Sequence, residues 1–215
     1  MPIVQPNSLI VITGITGFIA SHVALLVLGE GHRVRGTIRR ESLHKAETIR
    51  NAFVEQGLDR SIVEKNLEFF PIESDDDLFS EDIWAHLFKD ADAVEHIAFP
   101  IEAAFSRALI DKAKNATIAM LRIASETASI KRFVLTSTLV TAFIFPNYRE
   151  APITVQDWND DAVRVVYDGE PAENYPSVEH SGPLTSYAAS KVVIEKAAFD
   201  FVEKKKVSTT SSFTA

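Results

Sequence analysis

The stretch LIVITGITGFIASH, residues 9–22, restricts the possible folds more than any other part of the chain. Leu9-Ile10-Val11-Ile12-Thr13 is a short apolar, β-branched run of the kind that forms a buried strand. Gly14 and Gly17 follow. A helical pattern then covers Phe18–Gly29, with Ile19, Val23, Leu26 and Val27 forming one apolar stripe. A phosphate requires backbone N–H donors aimed at it, and a helix start supplies them together with a favourable dipole. Side chains would block that approach, which accounts for glycine at 14 and 17. Ala20 stands at the third position of the pattern, where a small residue lets helix and strand pack closely. A flexible turn before an ordinary helix would also contain glycines. The strand–turn–helix context favours a dinucleotide-binding turn instead.

The rest of the chain repeats the alternation. Strands are predicted at Arg33–Ile38, Leu67–Phe70, Ala93–Ile97 and Arg132–Ser137. Helices are predicted at about residues 42–56, from the acidic loop Glu73–Asp77 to Lys89, at 103–128, and around Tyr187 to Lys205. Between Phe145 and about Leu184 the sequence is rich in Pro, Asp and Asn, a long excursion read as a functional loop. Alternating strands and helices imply an α/β fold, a Rossmann-type doubly wound parallel sheet covered on both faces. A single nucleotide-binding domain over 1–205 is expected, with 145–184 as a substrate-side excursion and 206–215 as a short polar tail.

The second strand ends VRGTIRR. In such a sheet that end faces the adenosine ribose, where an acidic residue suits NAD and an arginine suits the extra phosphate of NADP. No Asp or Glu precedes Glu41, and Arg39 and Arg40 occupy the place, so NADP is expected rather than NAD.

Composition removes several function classes. The chain has 215 residues and no cysteine, which excludes disulfides, thiolate catalysis and cysteine-ligated zinc. Net charge is −8, unfavourable for nonspecific nucleic-acid binding. The six histidines lack ligand spacing, so no metal site is expected, and His96 reads as a packed or hydrogen-bonded residue. No segment approaches the roughly 20 apolar residues that span a bilayer, and the start lacks a secretory signal. A cytoplasmic protein without nucleic-acid or membrane partners is the expectation.

The segment TSYAASKVVIEK places Tyr187 and Lys191 four apart, on one face of a helix. Together with the glycine turn, HIAFP after the fourth strand and LTST at the end of the fifth, it resembles the extended short-chain dehydrogenase/reductase family within the NAD(P)-dependent epimerase/dehydratase superfamily. The likeness is greatest to its dihydroflavonol reductase-like and fungal aldehyde or ketone reductase branches, and runs from about Leu9 to about Lys205. It implies that Gly14, Thr16, Gly17, Phe18 and Ile19 form the pyrophosphate turn and that Arg39 meets the ribose phosphate. It further implies that Asp77 and Leu78 line the adenine, and that Ala98 and Pro100 pass beneath the nicotinamide ribose. Asn115 falls where relatives carry a helix asparagine near the site. Thr138, Tyr187 and Lys191 match the catalytic set, and the last two also contact the cofactor.

That set suits carbonyl reduction with a small-molecule aldehyde or ketone. A phenol with a pKa near 10 is a reluctant proton donor at neutral pH, and an adjacent ammonium favours its ionised form. Thr138 would hydrogen-bond the substrate oxygen. Ser137 competes for that role, but strand alternation sends it to the opposite face. After the Tyr187 helix the resemblance implies a sixth strand and a small substrate lobe. STTSSFTA lacks the apolar run of a central strand, so the sheet is expected to be incomplete on its C-terminal side, with that lobe largely missing. Strand five would then be an exposed edge, open to self-association. Alternatives are a truncated, noncatalytic dinucleotide-binding protein and a nucleotide-sugar epimerase or dehydratase relative.

Overall fold

The computed structural model describes residues 4–99, 106–143, 152–169 and 183–205. Five parallel strands form one sheet in the order β3-β2-β1-β4-β5. They are β1 (Leu9–Ile12), β2 (Arg33–Arg39), β3 (Leu67–Ile72), β4 (Ala93–His96) and β5 (Arg132–Leu135). β1 is buried along its whole length, as its uninterrupted apolar run requires of a central parallel strand. It pairs with β2 on one side and β4 on the other. The chain order therefore reverses at β1 and β4, the switch point outside whose carboxyl ends such sheets bind ligands.

The helices are α1 (Phe18–Gly29), α2 (Ala46–Glu55), α3 (Arg60–Asn66), α4 (Glu81–Leu87), α5 (Arg107–Glu126), α6 (Asp160–Asp168) and α7 (Pro183–Lys205). No helix among the described residues is long and apolar enough to cross a membrane. By compactness the chain separates into two units. The first holds the sheet, α1 to α4 and the second half of α5. The second holds the first half of α5, the segment after β5, α6 and α7.

The first unit's core joins Ile10, Ile12, Val34, Ile38 and Leu67 of the sheet with Ile15, Ala20, Ala24 and Leu28. This corrects the predicted α1 stripe. Ala20, Ala24 and Leu28 form its buried line, Val23 and Val27 pack at its flank, and Ile19 and Leu26 are 55% and 69% exposed. Apolar residues surround this helix, so periodicity cannot choose a face. Small side chains that permit close approach to the sheet decide it. On the sheet's other side Trp84 lies against Phe88 and His96, and His96 against Phe133.

Several boundaries differ from the predicted ones. β3 continues through Pro71 to Ile72, which an outer strand tolerates because half its N–H groups need no ladder partner. α3 was not predicted. Asp59 caps it, accepting from Ser61 N at 2.7 Å. The excursion contains α6, begun by Asn159 and closed by Gly169 at φ 71°. Both residue types carry helix-end signals that its polar composition obscured.

Candidate active site

In the first unit the turn after β1 is built on two threonines. The Thr13 hydroxyl accepts from the amides of Ile97 (2.9 Å) and Ala98 (2.8 Å), tying the end of β1 to the segment beyond β4. The same hydroxyl lies 3.0 Å from His96 Nδ1, a third hydrogen-bond contact at the end of β1. His96 is thus both packed and hydrogen-bonded, as its sequence context suggested. Thr37 Oγ1 accepts from Gly14 N at 2.7 Å, and Thr37 O from Ile15 N at 3.0 Å. Gly14 has φ 71°, and a Cβ there would lie 2.9 Å from the Ala98 Cβ. Glycine is thus required twice, by the backbone and by the close approach to Ala98.

Gly17 starts α1 with extended backbone, and the first intrahelical bond is Ser21 N to Gly17 O at 2.9 Å. The amides of Phe18, Ile19 and Ala20 precede that bond, so helix geometry gives them no intrahelical acceptor. The first turn of α1 contains no acidic residue. Donors without competing negative charge suit a diphosphate. Thr16 and Phe18 are exposed, Phe18 at 80% with its ring on His22.

Arg39 is exposed at the carboxyl end of β2, whereas Arg40 makes a two-point ion pair with Glu73. The Asp77 carboxylate accepts from the amides of Glu73 (2.8 Å) and Ser74 (3.0 Å), and Leu78 O accepts from Trp84 Nε1 (3.1 Å). Both groups thus have structural duties after β3. Pro100 lies outside the described residues.

In the second unit α7 carries Tyr187 half-buried and Lys191 buried, only 7% exposed. The Lys191 ammonium is 6.0 Å from the Tyr187 ring centroid, the proximity that four-residue helical spacing gives. Burial pulls the Lys191 pKa down to about 8, and the Glu195 carboxylate one turn later opposes the fall. Thr185, Ala188, Ala189, Ser190 and Val192 are buried around the pair. Small residues here let α7 pack closely against α6 and the 3-10 turn Leu139–Thr141.

Thr138 opens that turn with extended backbone, and its hydroxyl makes no capping bond. Its carbonyl accepts from Thr141 N (3.2 Å) and Oγ1 (2.7 Å), while Asn159 clasps the turn through Val140 O (3.0 Å) and Thr141 O (2.7 Å). Ser137 points elsewhere, donating its hydroxyl to Glu195. α6 is fastened to α7 by Lys196, which reaches Asp160 at 2.5 Å and lies 5.2 Å above the Trp158 ring.

The predicted residues thus fall into two constellations. Gly14, Gly17, Phe18, Ile19 and Ala98 gather at the carboxyl ends of β1 and β4, with Arg39 at the end of β2. Thr138, Tyr187 and Lys191 belong to the packed turn and helix of the second unit. Asn115 is exposed on α5. Sequence reasoning passed over Thr13, Thr37, Gly36 and Glu195. Gly36 had a visible signal, a glycine inside a strand, which marks close approach of another group. A Cβ on Gly36 would lie 2.4 Å from Ile15 Cδ1, so Ile15 of the glycine turn sits directly on β2.

The chain matches the model of the NAD dependent epimerase/dehydratase family over residues 10–213. It is 31% identical over 209 residues to aldehyde reductase 2 of Sporidiobolus salmonicolor, spanning 95% of this chain and 55% of that protein. With the NADPH-dependent methylglyoxal reductase GRE2 of Saccharomyces cerevisiae it shares 30% identity over 215 residues, again 95% and 55%. The fold is similar to that of Gre2 from Candida albicans, solved with NADPH, at a TM-score of 0.67 and 23% identity, covering 96% of this chain and 55% of that one. The chain therefore spans about half the length of the curated relatives it matches. A family match over nearly every residue, on a parallel sheet reversed at β1 and β4, makes this chain a member of the NAD-dependent epimerase/dehydratase family.

Proposed function

We propose that this chain serves NADPH-dependent reduction of an aldehyde or ketone to an alcohol. The observation that carries the reading is Lys191, a lysine buried one helical turn from Tyr187. Burying an ammonium is costly, and structural roles rarely require it. The named relatives, an aldehyde reductase and an NADPH-dependent methylglyoxal reductase, support the same chemistry.

The α1 amides and the Gly14–Gly17 turn would receive the cofactor diphosphate, and Arg39 its ribose phosphate. Bound NADPH would supply the hydride. Thr138 would donate a hydrogen bond to the substrate oxygen as negative charge grows there. Tyr187 would deliver the proton to that oxygen, and the Lys191 charge would ease loss of the phenolic proton. An epimerase acting on a nucleotide sugar would use NAD, and arginine at the end of β2 argues for NADP.

The test is NADPH fluorescence on mixing, followed by turnover with a panel of aldehydes and ketones. Tyr187→Phe is expected to abolish turnover and leave NADPH binding nearly intact. Binding without turnover in the unaltered chain would favour a noncatalytic dinucleotide-binding protein. Absence of binding would overturn both readings.

A further inference from the structure

Glu195 lies one helical turn beyond Lys191, and its carboxylate accepts the Ser137 hydroxyl from a segment 58 residues earlier. Ser137 adjoins Thr138, so one hydrogen bond connects the residue beside the candidate substrate donor to the helix of the candidate acid. We propose that the Ser137–Glu195 pair is a positioning device for Lys191, fixing a carboxylate one turn from its ammonium and locking α7 in register against the Thr138 segment. This rests on the reductase reading for its purpose, though not for its physical content.

Three observations favour it. The Ser137 hydroxyl holds the half-buried Glu195 carboxylate back from solvent, on the Lys191 side of the Thr138 segment. Its field acts where screening is weak, because Lys191 is buried. Glu195 is also the charged group that offsets the burial of Lys191, whose pKa would otherwise fall below about 8.

Among the described residues, the ionisable groups of α6 are engaged elsewhere. On α6, Asp160 bonds Lys196, Asp161 pairs with Arg164, and Tyr167 donates to Asp111 on α5. Asp168 is the last residue of α6, and among the described residues the turn after β5 places the uncharged Ser137, Thr138 and Thr141 on this side. Tyr187 is the titratable neighbour one turn before Lys191 among the described residues. A neutral Lys191 would neither favour the phenolate nor hold its place beside the ring. Glu195 acts through Lys191 and touches no reacting atom.

The experiment is an NMR titration of the full chain with 13C-methylated lysines, assigned by Lys191→Arg. Glu195→Gln is expected to lower the Lys191 pKa by about one unit, the scale of losing an opposite charge at this range. Glu195→Asp should recover part of that shift. Ser137→Ala keeps the charge but frees it, removes only a half-buried hydroxyl, and should give a smaller downward shift. An unchanged Lys191 titration in folded Glu195→Gln overturns the proposal. Should that variant not fold, an unchanged titration in Ser137→Ala overturns it equally. The readout does not depend on turnover. A shifted pKa in a chain whose Tyr187→Phe variant is unaffected would keep this inference and sink the reductase reading, and the reverse pattern would do the opposite.

Discussion

Lys191 shows at the scale of one residue how a buried ammonium is held at a cost to the fold. Its pKa falls from 10.5 to about 8 because burial disfavours the charged form. A lowered basic pKa means that the unfolded chain holds the proton more tightly than the folded one between about pH 8 and 10.5. Stability attributable to this group therefore rises as pH increases through that window, and below it the folded state bears a penalty on the order of 3 kcal/mol. Lys191→Met is accordingly expected to raise the melting temperature at pH 7 while abolishing turnover. Calorimetry at pH 7 and pH 10 checks this, since the gain should shrink at the higher pH. The same pKa predicts that wild-type turnover declines as pH rises through about 8, which a pH–rate profile would show.

Elements are held together by glycines as much as by apolar bulk. Ile15, buried in the turn between β1 and α1, occupies the space that a side chain at Gly36 would need. Gly36→Ala should destabilise by about 1–3 kcal/mol through overpacking. Ile15→Ala alone should cost about 2–5 kcal/mol through the cavity it leaves. Each alteration relieves the other's defect, so the double variant should lose less than the two losses combined. Urea denaturation of the four proteins measures the coupling, and strict additivity would refute the contact. α1 teaches a related lesson. Its apolar residues were legible, but which of them face the sheet depended on Ala20 and Ala24, whose smallness acts only once a partner surface exists.

Across the whole molecule, the parallel sheet reverses at β1 and β4 and gathers the glycine turn, Ala98 and Arg39 at strand carboxyl ends. A ligand that binds only the folded chain stabilises it by about 2.7 kcal/mol at a hundredfold excess over its Kd. NADPH is expected to raise the melting temperature more than NADH at equal concentration. Arg39→Ala should bring the two shifts together by removing the cation for the extra phosphate. Equal shifts in the unaltered chain would count against NADP preference.

The sequence by itself determined whatever depends on neighbours along the chain. An apolar strand followed by Gly14 and Gly17 at a helix start specifies local backbone chemistry, and Tyr187 and Lys191 meet because a helix turns in about four residues. Strand and helix alternation sufficed for the parallel α/β class. Tertiary structure alone decided the features that depend on distant partners. Gly36 receives Ile15 from the preceding turn, Thr13 bridges to Ile97 and Ala98, and Ser137 meets Glu195 across 58 residues. The burial that shifts Lys191 also comes from packing, since desolvation is set by everything surrounding a group and local spacing carries no measure of it.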